Sequence, residues 1–171
     1  MPVIDRHAQI INDIWRYHDP AKPARDQQAN IVLDLDELKT LGAQPPVLRP
    51  LGVIAPAGTS ADQLMPYLDS LDLVVVEFPK FRDGRGFTLA RTLRNKLGFT
   101  GDIRASGHIL PDQLAALVQC GVSSIDLPSD HPVEQWVQSL PGASPAIHKR
   151  PLLQRLLSEK AAAVQKPDVP L

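Results

Sequence analysis

Between Glu77 and Arg94 the chain sets five cations, Lys80, Arg82, Arg85, Arg91 and Arg94, and two glycines, Gly84 and Gly86, where an apolar run meets an amphipathic segment. A helix start leaves backbone N–H groups unpaired and carries the positive end of the helix dipole, so an oxyanion placed there gains hydrogen bonds and charge complementarity together. Planar guanidinium forks suit a tetrahedral or pyramidal oxyanion. The anion-binding candidates are therefore Arg82, Gly84, Arg85, Gly86 and Arg91, with Arg104 from the next apolar run. The competing reading is a solvated helix face. Asp83-Gly84-Arg85-Gly86 lacks the spacing of a dinucleotide-binding or Walker loop, so by itself it reads as a turn.

Three residues are candidates for catalysis: Glu77, Lys80 and His108. Glu77 interrupts Val74-Val75-Val76-Glu77-Phe78, a run that otherwise reads as buried on both faces, and a buried carboxylate needs a partner. Lys80 and Arg104 are the partners at hand. Glu77 then either fixes strand register through an ion pair with Arg104 or serves a catalytic or ligand-binding role. His108 has the right unperturbed pKa for a general acid or base, although a lone histidine at a strand end also reads as a hydrogen-bonded surface residue. The five histidines show no metal-ligand spacing, and Cys120 falls at a helix C-terminus, the wrong end of the dipole for a stabilised thiolate.

The elements that must position these residues are βα units. Strands are expected at Leu51–Ala55, Asp72–Phe78, Asp102–Gly107 and Ser123–Leu127, each pair separated by room for one helix. Thr88 caps the second helix and Gly98 stops it. Pro111 and Pro132 suit the first turns of the third and fourth, and Pro66 either kinks the first or delays its start. Ile10-Ile11 and Ile14–Tyr17 predict a small antiparallel hairpin, Ile31–Leu33 a short strand and Asp34–Leu38 an acidic helix. A leucine stripe from Leu152 to Leu157 predicts a C-terminal helix, followed by a frayed tail from Lys166.

The expected fold is α/β: a mostly parallel sheet of about four βα units, half-barrel-like or flavodoxin-like, with a small N-terminal antiparallel cap and a C-terminal helix. It forms one domain, residues 1–171, divided into cap (1–50), βα core (51–144) and C-terminal helix and tail (145–171). Functional side chains should gather where strands end, which adds Pro56, Thr59, Asp83 and Asp126. Unclosed strand edges and the leucine stripe predict a homodimer.

With 171 residues, 43% of them hydrophobic, the chain is long enough for a real core. No apolar run is long enough to span a bilayer and no secretory h-region opens the chain, so a cytoplasmic location and no membrane partner are expected. The net charge of −1 does not fit a nucleic-acid binder, although residues 1–79 carry 6 Lys and Arg against 11 Asp and Glu while residues 80–104 carry 7 against 2. A single cysteine cannot furnish an intrachain disulfide or a four-thiolate cluster. No bound cofactor is expected.

The stretch Glu77-Phe-Pro-Lys-Phe-Arg-Asp-Gly-Arg-Gly-Phe-Thr-Leu-Ala-Arg-Thr-Leu-Arg94, followed by Gly101-Asp-Ile-Arg-Ala-Ser-Gly-His-Ile-Leu-Pro-Asp-Gln113 and Cys120-Gly121, resembles a bacterial domain-of-unknown-function family, number 934. The likeness is densest from Glu77 to Gly121. It departs at His108, where an acidic residue is expected, and at Pro111, where a basic or aliphatic one is. The family is commonly encoded beside sulfite reductase, so the resemblance implies an accessory of assimilatory sulfite reduction that binds sulfite reductase or its electron donor. Two alternatives stand beside it. One is a small enzyme of sulfur assimilation with Glu77, Lys80, Arg85 and His108 around a small oxyanion, and the other a module binding a phosphorylated metabolite.

Overall fold

The computed structural model describes residues 2–19, 29–42 and 49–140. Chain order begins with three short strands, β1 (Val3–Asp5), β2 (Ile10–Ile11) and β3 (Arg16–Tyr17), then β4 (Ile31–Asp34) and α1 (Leu35–Leu41). The βα series follows: β5 (Leu51–Ala55), α2 (Ala61–Leu64), β6 (Leu73–Phe78), α3 (Arg85–Arg91), β7 (Asp102–Gly107), α4 (Leu114–Gln119), β8 (Ser124–Asp126) and α5 (Val133–Gln138). All eight strands join one sheet in the order β2-β1-β8-β7-β6-β5-β4-β3. Strands β3 to β8 pair in parallel, and β1 is antiparallel to both β8 and β2.

This is a mixed α/β fold whose eight-stranded sheet curls into a half-barrel. Chain reach shows why it must curl. Strands β2 and β3 are the two outermost strands, yet only Asn12 to Trp15 lie between them. Five residue steps span at most about 18 Å, whereas seven interstrand spacings in a flat sheet come to about 34 Å. The connection closes only if the edges bend toward each other, and the Tyr17 hydroxyl on β3 accordingly reaches Asp126 on β8 at 3.3 Å. Neighbours from β3 to β8 follow chain order, so the sheet has no strand-order reversal of the flavodoxin kind.

Two expectations are corrected here. The sheet is mixed and larger than four βα units. Residues before Leu51 build no separate cap but supply both ends of the sheet, the antiparallel pair β1 and β2 at one end and the parallel strands β3 and β4 at the other. Ile10-Ile11 does not form a hairpin with Ile14–Tyr17: it pairs with Val3-Ile4, while Arg16-Tyr17 pairs in parallel with Ile31-Val32 at the opposite edge. The Leu152–Leu157 stripe and the homodimer contact argued from it lie outside the described residues.

The four later strands fall within a residue of the expected positions, and their punctuation works as chemistry requires. Pro66 cannot donate to a helix interior, and the first helix passes from four α residues into a 3-10 turn at Met65–Ser70. Gly98 takes φ 66° and stops the second helix after a π turn at Thr92–Lys96. That helix starts at Arg85, three residues before the expected Thr88 cap. Asp83 explains the early start, because its Oδ1 accepts the Arg85 N–H at 3.1 Å.

The helix-covered face of the sheet carries the main core, including Leu33, Val53, Val74, Val76, Ile103 and Ile125. The concave face carries a smaller apolar group, Val32, Leu73 and Val75 with Trp15 and Ile54 packed against it. Helix α3 lies tight on β6. A Cβ on Gly86 would stand 2.5 Å from the Phe78 ring, which is buried and locked edge-on against Phe87 with centroids 5.2 Å apart. Gly84, by contrast, has open space around it. Gly86→Ala is therefore expected to cost about 1–3 kcal/mol and Gly84→Ala less than about 0.5 kcal/mol. Denaturant unfolding of the two variants checks the difference.

Candidate functional site

On the concave face, toward the carboxyl ends of the parallel strands, lies a cavity of about 210 Å³. Asp13, Tyr17, Glu77, Ser106 and Asp126 form its polar wall, and Ile54 and Val75 its apolar wall. Strand alternation builds it. Register sets Val75 beside Arg104 and Ser124, and Glu77 beside Ser106, so these side chains share the face away from the helices. Carboxyl ends of parallel strands are where such folds assemble ligand sites, because the loops that follow can vary without disturbing the sheet.

Arg104 is the electrostatic centre of this face, with a side chain only 2% exposed. Its fork grips Asp13, Nη2 donating to Oδ1 at 2.9 Å and Nη1 to Oδ2 at 3.1 Å. Nη1 also stands 3.6 Å from Asp126 Oδ1, and Nε donates to Ser124 Oγ at 3.3 Å. Burial alone would lower the guanidinium pKa, but the Asp13 hydrogen bonds and the charge of Asp126 outweigh it and hold Arg104 charged. Burial pushes the Asp126 carboxyl above the usual carboxylate range against the opposing pull of Arg104 and the hydrogen bonds from Ser106 and Tyr17. Desolvation, then the negative charge of Asp126, pushes the Tyr17 hydroxyl from 10.0 up to about 12.

The expected site residues fall into separate places. Glu77 lines the cavity. It is exposed within a strand whose other residues are buried, and its cross-strand neighbour is Ser106. The proposed Glu77–Arg104 ion pair is absent, since Arg104 lies opposite Val75 and is taken by Asp13 and Asp126. Lys80, Arg82 and His108 line a separate open groove with Pro79 and Phe81, just beyond the ends of β6 and β7. Arg85 is clamped by Asp83, with Nη2 to Oδ2 at 2.6 Å, and this bond lowers the Asp83 pKa to about 2. Arg91 reaches Cys120 Sγ at 3.5 Å, and Arg94 donates to the carbonyls of Gly121 and Phe99. Gly86 serves close helix–strand packing, as described above. The cations thus point in different directions, and Arg104 sits on the opposite face of the sheet from the helix that carries Arg85 and Arg91.

Sequence reading missed Asp13, Tyr17 and Ser106. Ser106 was within reach, because it alternates with Arg104 on the same strand. Asp13 and Tyr17 enter from the far edge through a fold-closing segment that carries no motif.

Removing Asp13 leaves the buried guanidinium with only the more distant Asp126 as countercharge. Asp13→Ala is expected to destabilise the protein by about 3 kcal/mol, and Arg104→Met in that background returns part of the loss; chemical denaturation of the single and double variants measures both. The Tyr17 shift has a definite sign. With its folded pKa raised, its contribution to stability is present below pH 10 and lost as pH rises toward 12. Alkaline spectrophotometric titration should show one late tyrosinate step near pH 12 that Tyr17→Phe removes.

No curated protein matches this chain. A family model described as "Bacterial protein of unknown function (DUF934)" matches residues 52–148. The matched region takes in Glu77, Lys80, Arg104, His108 and Asp126, and leaves Asp13 and Tyr17 outside it. Because that match covers more than half of the 171 residues, the strands and helices from β5 to α5 place this chain in the bacterial family of unknown function DUF934.

Proposed function

We propose that the protein is an accessory of assimilatory sulfite reduction and docks on sulfite reductase or its electron donor through the groove beyond β6 and β7. The pathway comes from the resemblance to proteins encoded beside sulfite reductase. The surface that supports docking is the Phe81–Arg82 pair. Phe81 is 45% exposed, and the Arg82 guanidinium lies 5.2 Å from its ring centroid. An aromatic ring and an arginine held together at the surface are the residue types that carry most binding energy in protein interfaces.

The groove is also held in shape. Gln113 Nε2 donates to the Phe81 carbonyl at 2.7 Å, and the His108 N–H donates to the Phe78 carbonyl at 2.7 Å. Docking on a fixed loop avoids the entropy of ordering it. Lys80 and Arg82 have no ion-pair partner among the described residues, so their charge remains available to an acidic partner. The oxyanion-enzyme reading has less support, because Glu77, Lys80 with His108, and Arg85 line three different concavities.

The test pairs growth with binding. Deletion should slow growth on sulfate or sulfite and leave growth on cysteine normal. The purified protein should bind sulfite reductase or its donor in a salt-sensitive manner, and Phe81→Ala or Arg82→Glu should weaken that binding by about tenfold or more. Equal growth on all three sulfur sources, with no association with either protein, would overturn the proposal.

A further inference from the structure

The concave cavity is independent of the docking groove and has its own chemistry. Three carboxylates, Asp13, Glu77 and Asp126, face one cation, Arg104, and that cation is spent. Its fork is occupied by Asp13, its Nε by Ser124, and Asp126 stands beside Nη1. An anion entering here would find three carboxylates, and a guanidinium already paired with two of them. Glu77 is the opposite case: it makes no hydrogen bond or ion pair among the described residues, although it stands on a central strand beside the hydroxyls of Ser106 and Tyr17 that line the same space. The carboxylates are not gathered into a metal-ligating group among the described residues. A group that pairs with Glu77 must bring its own N–H donors and positive charge.

The other wall limits the rest of the ligand. Ile54 and Val75 line the cavity, and both belong to the small apolar group on which Trp15 packs. At about 210 Å³ the space is smaller than the roughly 300–1,000 Å³ of drug-sized pockets. We propose that this cavity binds a small alkylammonium compound, its ammonium group donating to Glu77 and its short carbon chain lying against Ile54 and Val75. This goes beyond the docking reading and does not rest on it. It assigns Glu77 a ligand-binding role distinct from that of Lys80 and His108.

The probe is n-butylammonium chloride, with n-butanol as the neutral match and sodium sulfite as the anion. Binding is read by calorimetry and by Trp15 emission, with buried Trp136 as an internal reference on the helix side. The expected result is saturable binding of butylammonium with a Kd of about 1 mM or tighter, and no saturable response to butanol or sulfite. Glu77→Gln keeps the shape of an exposed side chain, so circular dichroism and unfolding should not change while butylammonium affinity falls by about tenfold. Phe81→Ala should leave that affinity intact, which separates this result from failure of the docking surface. The proposal is overturned if butylammonium gives no saturable heat, if butanol binds equally well, if sulfite produces the Trp15 response instead, or if Glu77→Gln binds as the natural protein does.

Discussion

A guanidinium buried on a central strand sets the terms for the rest of this fold. Arg104 on β7 has neighbours Val75 and Ser124 in the sheet, and neither can neutralise it. Asp126 on β8 stands 3.6 Å from it, and the hydrogen-bonded countercharge comes from across the concave face, from Asp13, ninety-one residues earlier in the chain. Leaving such a charge unpaired costs several kcal/mol, whereas the paired state gains little over an apolar replacement. The contribution of the pair is therefore mainly to geometry. Asp13 is held over β7, and the short segment that contains it must then run from one edge strand to the other. The curl of the sheet and the position of the N-terminal segment are the same fact seen from two ends.

Curling has a consequence for the carboxyl rim. On the helix side, β6 is tied down at its exit by Phe78, whose ring fills the space left by Gly86 and meets Phe87 edge-on, and whose carbonyl accepts the His108 N–H. Gly107, at φ 104°, lets β7 approach that carbonyl; a Cβ there would stand 2.5 Å from the Phe78 oxygen. The two strands that carry Glu77 and Ser106 into the cavity are thus fixed immediately before they release the groove residues. Rigid strand ends and variable loops are the usual division of labour in parallel sheets. Here the division occurs within two residues, from Glu77 to Pro79 and from Ser106 to His108.

What could be read from the sequence depended on how local its cause was. Strands β5 to β8 are bounded by turn residues and built from apolar runs, and Gly98 and Pro66 act on the backbone where they stand, so all were legible. Strands β2 and β3 are two residues each, too short for any period, and their partners are set by closure of the sheet rather than by their own pattern. The arginine cluster shows the same limit. Charge density is visible in sequence, but direction is not: Arg85 turns back to Asp83, Arg91 and Arg94 turn to the α4 end, and Arg104 faces the other side of the sheet. Glu77 stands out as an anomaly in a buried run, while Arg104, one of the two partners offered for it, falls two residues out of register with it, opposite Val75, and pairs with Asp13 and Asp126 instead.

The rim that results is electrically divided. The groove presents Lys80 and Arg82 at the exits of β6 and β7, and the cavity just inside those exits presents Glu77 and Asp126. Opposite signs this close compete for ligands by charge: an anion near the rim is drawn to the groove and repelled from the cavity, and a cation the reverse. A partner with an acidic face seated on Phe81 and Arg82 would neutralise the outer half of this arrangement and leave the inner half unscreened. The cavity's field for a cation would then strengthen, since the partner offsets Lys80 and Arg82 while Arg104 stays paired with Asp13 and Asp126, and low-dielectric contact reduces screening by salt. Docking and ligand binding would in that case be coupled with a positive sign through electrostatics alone, with no change of backbone, and by linkage the coupling would act equally in both directions.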